Sequence, residues 1–140
     1  MNDIELAGIV LVNPYYQGYA SDIESLIYLA HERNIPVLVD EAHGAYFLFC
    51  ENHGLPKSAV RSNADLVVHS LHKSLNGLSQ TAILWHSGTK IDHENVQQSI
   101  NLLQTTSPNS LLLSSCEESL NDWIEINSLR NYQKLSLIHI

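Results

Sequence analysis

Two short apolar runs, each closed by a residue that can carry charge, constrain the fold more than any other feature of this chain. The first is Val37-Leu38-Val39, closed by Asp40; the second runs from Ala64 through Leu66-Val67-Val68 to Lys73. Both are short and rich in Val and Leu, so both read as buried strands. An earlier apolar run, Gly8 to Val12, ends at Asn13-Pro14 and reads as a third strand. Between the first two strands in chain order, Ser21 and Glu24 have the spacing of a capping box. Ile23, Leu26, Ile27, Leu29 and Ala30 then give a helical face through about Arg33, with Asn34 as the stop and Pro36 barring continuation. Strand, helix and parallel strand make a βαβ unit with a right-handed crossover. The expected fold class is therefore α/β, a mostly parallel sheet flanked by helices. Ligands of such sheets bind beyond the carboxyl ends of the strands. Asp40 and Lys73 would then face one crevice.

A lysine that attacks a carbonyl must be neutral part of the time, which desolvation or a nearby cation allows. An aspartate in the same crevice can hold a cationic ring nitrogen. Pyridoxal phosphate uses both groups: the amine forms a Schiff base with its aldehyde, and the carboxylate keeps its pyridine nitrogen protonated. The plainer reading is an exposed lysine after one strand and a helix-capping aspartate after another. Spacing alone leaves both open.

Longer strings are more specific. Pro36-Val37-Leu38-Val39-Asp40-Glu41-Ala42-His43-Gly44-Ala45 and Ala64-Asp65-Leu66-Val67-Val68-His69-Ser70-Leu71-His72-Lys73-Ser74-Leu75 resemble the core of the ornithine/lysine/arginine decarboxylase family. Gln80 to His86 and Leu103 to Leu113 match further motifs of that family in the same order, so the resemblance covers about residues 6 to 120. It implies part of the large domain of a fold-type I pyridoxal-phosphate enzyme, of the aspartate aminotransferase superfamily. It implies Lys73 as the Schiff-base lysine, Asp40 as partner of the ring nitrogen and Ala42 as the small residue against the ring. His43 would line the pocket, or serve only structurally. Ser70 and His72 would hold the cofactor phosphate, and Lys73 or His72 would return a proton to the substrate Cα. Thr105, Thr106 and Ser107 resemble a segment that reaches the cofactor of a neighbouring subunit, which implies a homodimer or higher homo-oligomer; a capped helix-breaking turn is the plainer alternative. The implied reaction releases CO₂ and an amine from lysine, ornithine or arginine.

The rest of the chain adds bounds. Residues 41 to 63 read as a short helix and a loop, with Ala45 to Phe49 packing inward. Gln80 to Trp85 reads as a further strand, antiparallel as in the superfamily, turning at Ser87-Gly88. Asp92 can cap a helix bearing Val96, Ile100 and Leu103. Thr105 to Pro108 breaks it, and a second helix from Ser110 to about Ile126 carries Leu113, Cys116, Leu120 and Ile124 on one side. The partial cofactor-binding domain is thus expected over residues 1–126, with 127–140 an unassigned tail; Asn131 to Ile140 matches nothing in the family. The net charge of −8 argues against nucleic-acid or anionic-membrane partners. Cys50 and Cys116 form no CxxC, which suits reduced thiols in a cytoplasmic protein. No stretch reaches the length of a membrane span, and Met1 to Glu5 lacks the pattern of a signal peptide. The eight histidines show no metal-binding spacing, so no metal is expected.

Two other readings exist. Val37 to His43 is also a Walker B string of the DEAH type, but no G-x-x-x-x-G-K-[ST] accompanies it. Alternatively the chain is a non-catalytic remnant. The family stretches that cap the phosphate, stack on the ring and complete the substrate pocket have no counterpart here, so this stretch alone is expected to be inactive.

Overall fold

The computed structural model describes residues 5–50 and 54–129. Its elements in chain order are β1 (Ile9–Val12), α1 (Ile23–His31), β2 (Val37–Asp40), a 3₁₀ turn (Ala45–Phe49), β3 (Leu66–Ser70), α2 (Leu71–Ser74), β4 (Ala82–His86), α3 (His93–Leu103) and α4 (Ser110–Leu129). The four strands lie in sequence order in one sheet. β1, β2 and β3 are parallel, with Val12 opposite Asp40 and Asp40 opposite Val68. β4 is antiparallel to β3, pairing Ser70 with Ala82 and Val67 with Trp85. The fold is α/β with a mostly parallel sheet, as the strand pattern requires.

Alternation decides which side chains reach the core. Val37 and Val39 of β2 and Val67 of β3 are fully buried against Ile23, Ile27 and Ala30 of α1. Removing each such side chain from water contributes roughly 1.5–3 kcal/mol. The residues between them, Leu38, Asp40 and Val68, turn to the other face. That face is less covered: Val10, Val12 and Leu84 are exposed. A second apolar cluster joins Ala45, Phe49 and Cys50 to Leu71 and Leu75, with Cys116, Leu120 and Trp123 of α4 packed on it.

Several boundaries differ from the sequence reading for local reasons. The cap of α1 is Asp22, not Ser21: the Asp22 carboxylate accepts the Ser25 N–H at 3.2 Å and the Ser25 hydroxyl at 2.7 Å. The Ser21 N–H is already taken by Asn13 Oδ1 at 2.8 Å. The two Ser25 bonds hold the Asp22 carboxyl below its ordinary value. α1 closes at His31, and the chain turns through Asn34 at φ 57°, the left-handed region. β3 begins at Leu66 because Asp65, nearly fully buried, uses its Oδ2 to accept the Val37 N–H at 2.8 Å and to meet His31 Nε2 at 2.9 Å. Asp65 therefore closes the amino-terminal end of β2. Leu26 and Leu29 of α1, Leu103 of α3 and Leu113 and Ile124 of α4 are exposed; the inward stripe of α4 is Cys116, Ser119, Leu120 and Trp123. Residues 127–129 of the expected tail continue α4, and the rest of it, Arg130 to Ile140, lies outside the described residues, as do Met1 to Ile4 and Glu51 to His53. Among the described residues, no helix is long and apolar enough to cross a membrane.

Two outcomes test this packing. A Cβ on Gly44 would lie 2.7 Å from Pro14 Cδ and 2.9 Å from both Glu41 Cγ and Phe47 Cδ2. Gly44→Ala should cost about 1–3 kcal/mol in urea denaturation, and a negligible change would mean that the turn after β2 is not packed this way. Burial pushes the Cys50 thiol up, whereas Cys116 is partly open to solvent. At mildly alkaline pH iodoacetamide should modify Cys116 faster than Cys50 by about tenfold or more. Equal rates would contradict the packing of α4 over the 3₁₀ turn.

Candidate cofactor site at the carboxyl edge of the sheet

The parallel ladder continues one residue past the strands. The Asn13 N–H donates to the Asp40 carbonyl and the Glu41 N–H to the Val68 carbonyl, each at 3.0 Å. These bonds bring the carboxyl ends of β1, β2 and β3 to one edge. Asp40 ends β2, half-buried. Its Oδ1 accepts the Ala42 N–H at 3.0 Å, which fixes the carboxylate, and its Oδ2 has no partner among the described residues. Ala42 is buried beside it. The half-buried His43 ring stands edge-on to Tyr16, with centroids 5.5 Å apart and planes at 83°.

β3 ends at Ser70, which stands at the N-cap of α2 but makes no capping bond from its hydroxyl. The next turn carries His72 and Lys73, both exposed. His72 Nδ1–H donates to the Thr81 carbonyl at 2.9 Å, so the ring is oriented and its Nε2 is left open. The same carbonyl accepts the Leu71 N–H at 3.0 Å, which ties α2 to the start of β4. Lys57 pairs with Glu24, and Lys90 donates to Asn34 Oδ1 at 2.7 Å. Lys73 is the one described lysine whose amine has no partner.

Asp40, Ala42 and His43 thus follow β2, Ser70, His72 and Lys73 follow β3, and the two strands are adjacent and parallel. Thr105, Thr106 and Ser107 are not brought to this edge by any hydrogen bond among the described residues. They form an exposed turn between α3 and α4, in which Thr105 Oγ1 accepts the Ser107 N–H at 3.1 Å.

Sequence reasoning missed two features here. Asn13, at the end of β1, is 1% exposed, and its Nδ2 is buried without a partner. Glu41 and His69 are likewise fully buried, with Glu41 Oε2 2.7 Å from His69 Nε2. Alternation past the end of β2 would have placed Glu41 on the covered face. Among the described residues no group of three or more His, Cys, Asp or Glu is arranged to hold a metal ion.

An open carboxylate oxygen, an open amine and an unbonded hydroxyl follow the carboxyl ends of two adjacent parallel strands. That set suits a ligand with a cationic ring nitrogen, a carbonyl and an anionic group.

The model of the Orn/Lys/Arg decarboxylase major domain matches residues 3–132. The chain belongs to this decarboxylase family. Arginine decarboxylase of Bacillus cereus is 41% identical over 110 residues, covering 79% of this chain and 24% of that protein. Arginine decarboxylase of Bacillus subtilis (strain 168) is 40% identical over 110 residues, covering 79% and 22%. The chain therefore spans about a quarter of the length of these curated relatives. A shorter likeness, 35% over 69 residues, links it to homocysteine/cysteine synthase of Saccharomyces cerevisiae, covering 49% of this chain and 14% of that one. Among solved structures, one of a SepCysS–SepCysE N-terminal domain complex superposes with a TM-score of 0.56 at 18% identity, covering 85% of this chain and 32% of that one. That likeness speaks to the fold alone. Within the family match lie all the residues named above, including the Val37–His43 string shared with DEAH ATPases. The decarboxylase assignment accounts for that string without a phosphate loop.

Proposed function

We propose that this chain supplies the central part of the cofactor-binding domain of a pyridoxal-phosphate-dependent decarboxylase acting on a basic amino acid. The names of the relatives favour arginine over lysine and ornithine. The observation that carries the reading is the pair of unpartnered groups, Asp40 Oδ2 and the Lys73 amine, at the ends of adjacent parallel strands. When bound, the cofactor supplies an electron sink for the charge left at the substrate Cα after CO₂ departs.

The chain's own residues do the rest. Asp40, fixed by the Ala42 N–H, keeps its second oxygen for a protonated ring nitrogen. Lys73 gives the amine that attaches the cofactor aldehyde covalently. Ser70 offers a hydroxyl to the phosphate, and His72, whose Nδ1–H is held by Thr81, donates Nε2–H to it in the imidazolium form. Ala42 leaves room for a ring where a larger side chain would not. Lys73 or His72 would return a proton to Cα. Thr105 and Thr106 serve a second copy in this reading, which assigns the enzyme a homodimer. The exposed Leu102, Leu103, Leu111 and Leu113 flanking that turn support such a contact. Two free thiols suit the reducing cytoplasm where we place the reaction.

The test is chemical. Treating the full-length protein with pyridoxal phosphate and borohydride should leave the label on Lys73, and a label on Lys57 or Lys90 instead would overturn the assignment. Asp40→Ala should lower CO₂ release from arginine by about a hundredfold or more, by analogy with loss of a preorganised electrostatic partner. Full activity in that variant would remove Asp40 from the site.

A further inference from the structure

The site residues do not account for the buried polar chain on the other face of the same strand ends. Glu41 follows Asp40 and His69 precedes Ser70, and both point away from the open edge. Glu41 Oε1 accepts the Ala59 N–H at 2.8 Å, and Oε2 accepts the Ser58 hydroxyl at 2.8 Å. His69 Nε2 meets the same Oε2 at 2.7 Å, and on the other side of the ring Trp85 Nε1–H donates to His69 Nδ1 at 2.9 Å. An indole N–H can only donate. His69 Nδ1 must therefore be an acceptor, and the ring's one proton sits on Nε2 and is donated to Glu41. The ring is neutral, and its tautomer is set by Trp85. The chain of bonds crosses β4, β3 and the residue after β2 in order, and ties the loop at Ser58 and Ala59 to them.

We propose that Glu41, His69 and Trp85 are positioning residues: a tautomer-locked relay that holds the ends of β2 and β3 so that Asp40 and Ser70 present their side chains to one crevice. The relay touches neither group directly. It acts through the backbone, since Glu41 N–H bonds to the Val68 carbonyl and Ala42 N–H to Asp40 Oδ1. Its functional meaning rests on the cofactor reading above, whereas its geometry does not.

The relay makes an unusual demand on substitutions. Glu41→Gln keeps the shape but offers one oxygen and one NH₂ where three donors arrive. If the Gln oxygen stays on the Ala59 N–H, the NH₂ faces His69 Nε2–H. His69 can relieve that clash only by moving its proton to Nδ1, where it meets Trp85 N–H. Trp85→Phe removes that donor. The two outer members do not touch each other, so a packing role would make their effects additive, while a shared tautomer makes them coupled.

The experiment is done on the full-length protein. In the unsubstituted protein, ¹⁵N NMR of the histidine rings should show His69 as the neutral Nε2–H form. Finding Nδ1–H or the cation at neutral pH overturns the relay without any variant having to fold. In Glu41→Gln, hydrogen exchange at the Glu41-position and Ala42 amides should speed up by roughly tenfold to a hundredfold, while Val96 on α3 stays unchanged. Adding Trp85→Phe should recover most of that protection. Additive losses in the double variant, or equal losses at Val96, overturn the positioning role. Failure of borohydride labelling at Lys73 in the unsubstituted protein would instead sink the cofactor reading and leave the exchange result standing.

Discussion

Parallel pairing of β2 with β3 is the constraint on which the rest depends. A parallel pair presents both carboxyl ends at the same edge, so whatever follows each strand becomes a neighbour across about one strand spacing, roughly 4.8 Å. The sequence places an aspartate after one and a serine, histidine and lysine after the other. Had the pair been antiparallel, the acid and the amine would sit at opposite edges. The register matters as much as the direction. Val39 stands opposite Val67 in the core, which forces Asp40 and Val68 onto the other face and Glu41 and His69 onto the covered one. One residue of slip would bury the aspartate and expose the valines.

The two ends of β2 are handled by different chemistry. At the amino end, Asp65 Oδ2 accepts the Val37 N–H and meets His31 Nε2, which ties α1 to the start of β2. At the carboxyl end Asp40 spends only one oxygen within the chain. A nearly fully buried carboxylate that bridges two elements is a strut; a half-buried one at the carboxyl edge of a parallel sheet is within reach of a ligand. That contrast in burial, at the two ends of a four-residue strand, sets Asp40 apart as the candidate site acid. Glu41, fully buried with three donors, belongs with Asp65 on the structural side. The open face of the sheet beside Asp40, with Val10 and Val12 exposed, is a further asymmetry: α1 covers one side of these strands, and the chain spans about a quarter of its relatives' length.

How much of this was legible in the sequence follows from how local each feature is. Val37 to Asp40 and the run into Lys73 were legible because short apolar β-branched runs with a charged stop leave few alternatives. The antiparallel β4 and the Asp92 cap were legible for similar reasons. Ser21 and Asp22 are both good caps, and only the capture of the Ser21 N–H by Asn13, eight residues earlier, decides between them. Leu113 and Ile124 fit a helical stripe, yet α4 packs on a turn too short to cover so wide a face. The Glu41–His69–Trp85 chain joins residues 28 and 16 positions apart through tertiary contacts, and no spacing rule announces it. The family strings carried Lys73 and Asp40 as site residues where periodicity could offer only a pair of strand ends.

The central claim is that Asp40 holds the nitrogen of a ring whose aldehyde Lys73 captures. The most direct measurement uses pyridoxal phosphate labelled with ¹⁵N at the ring, bound to the full-length protein and read by solid-state NMR. A protonated pyridine nitrogen in the unsubstituted protein, and an unprotonated one in Asp40→Asn, is the predicted result. The same nitrogen state in both proteins would contradict it.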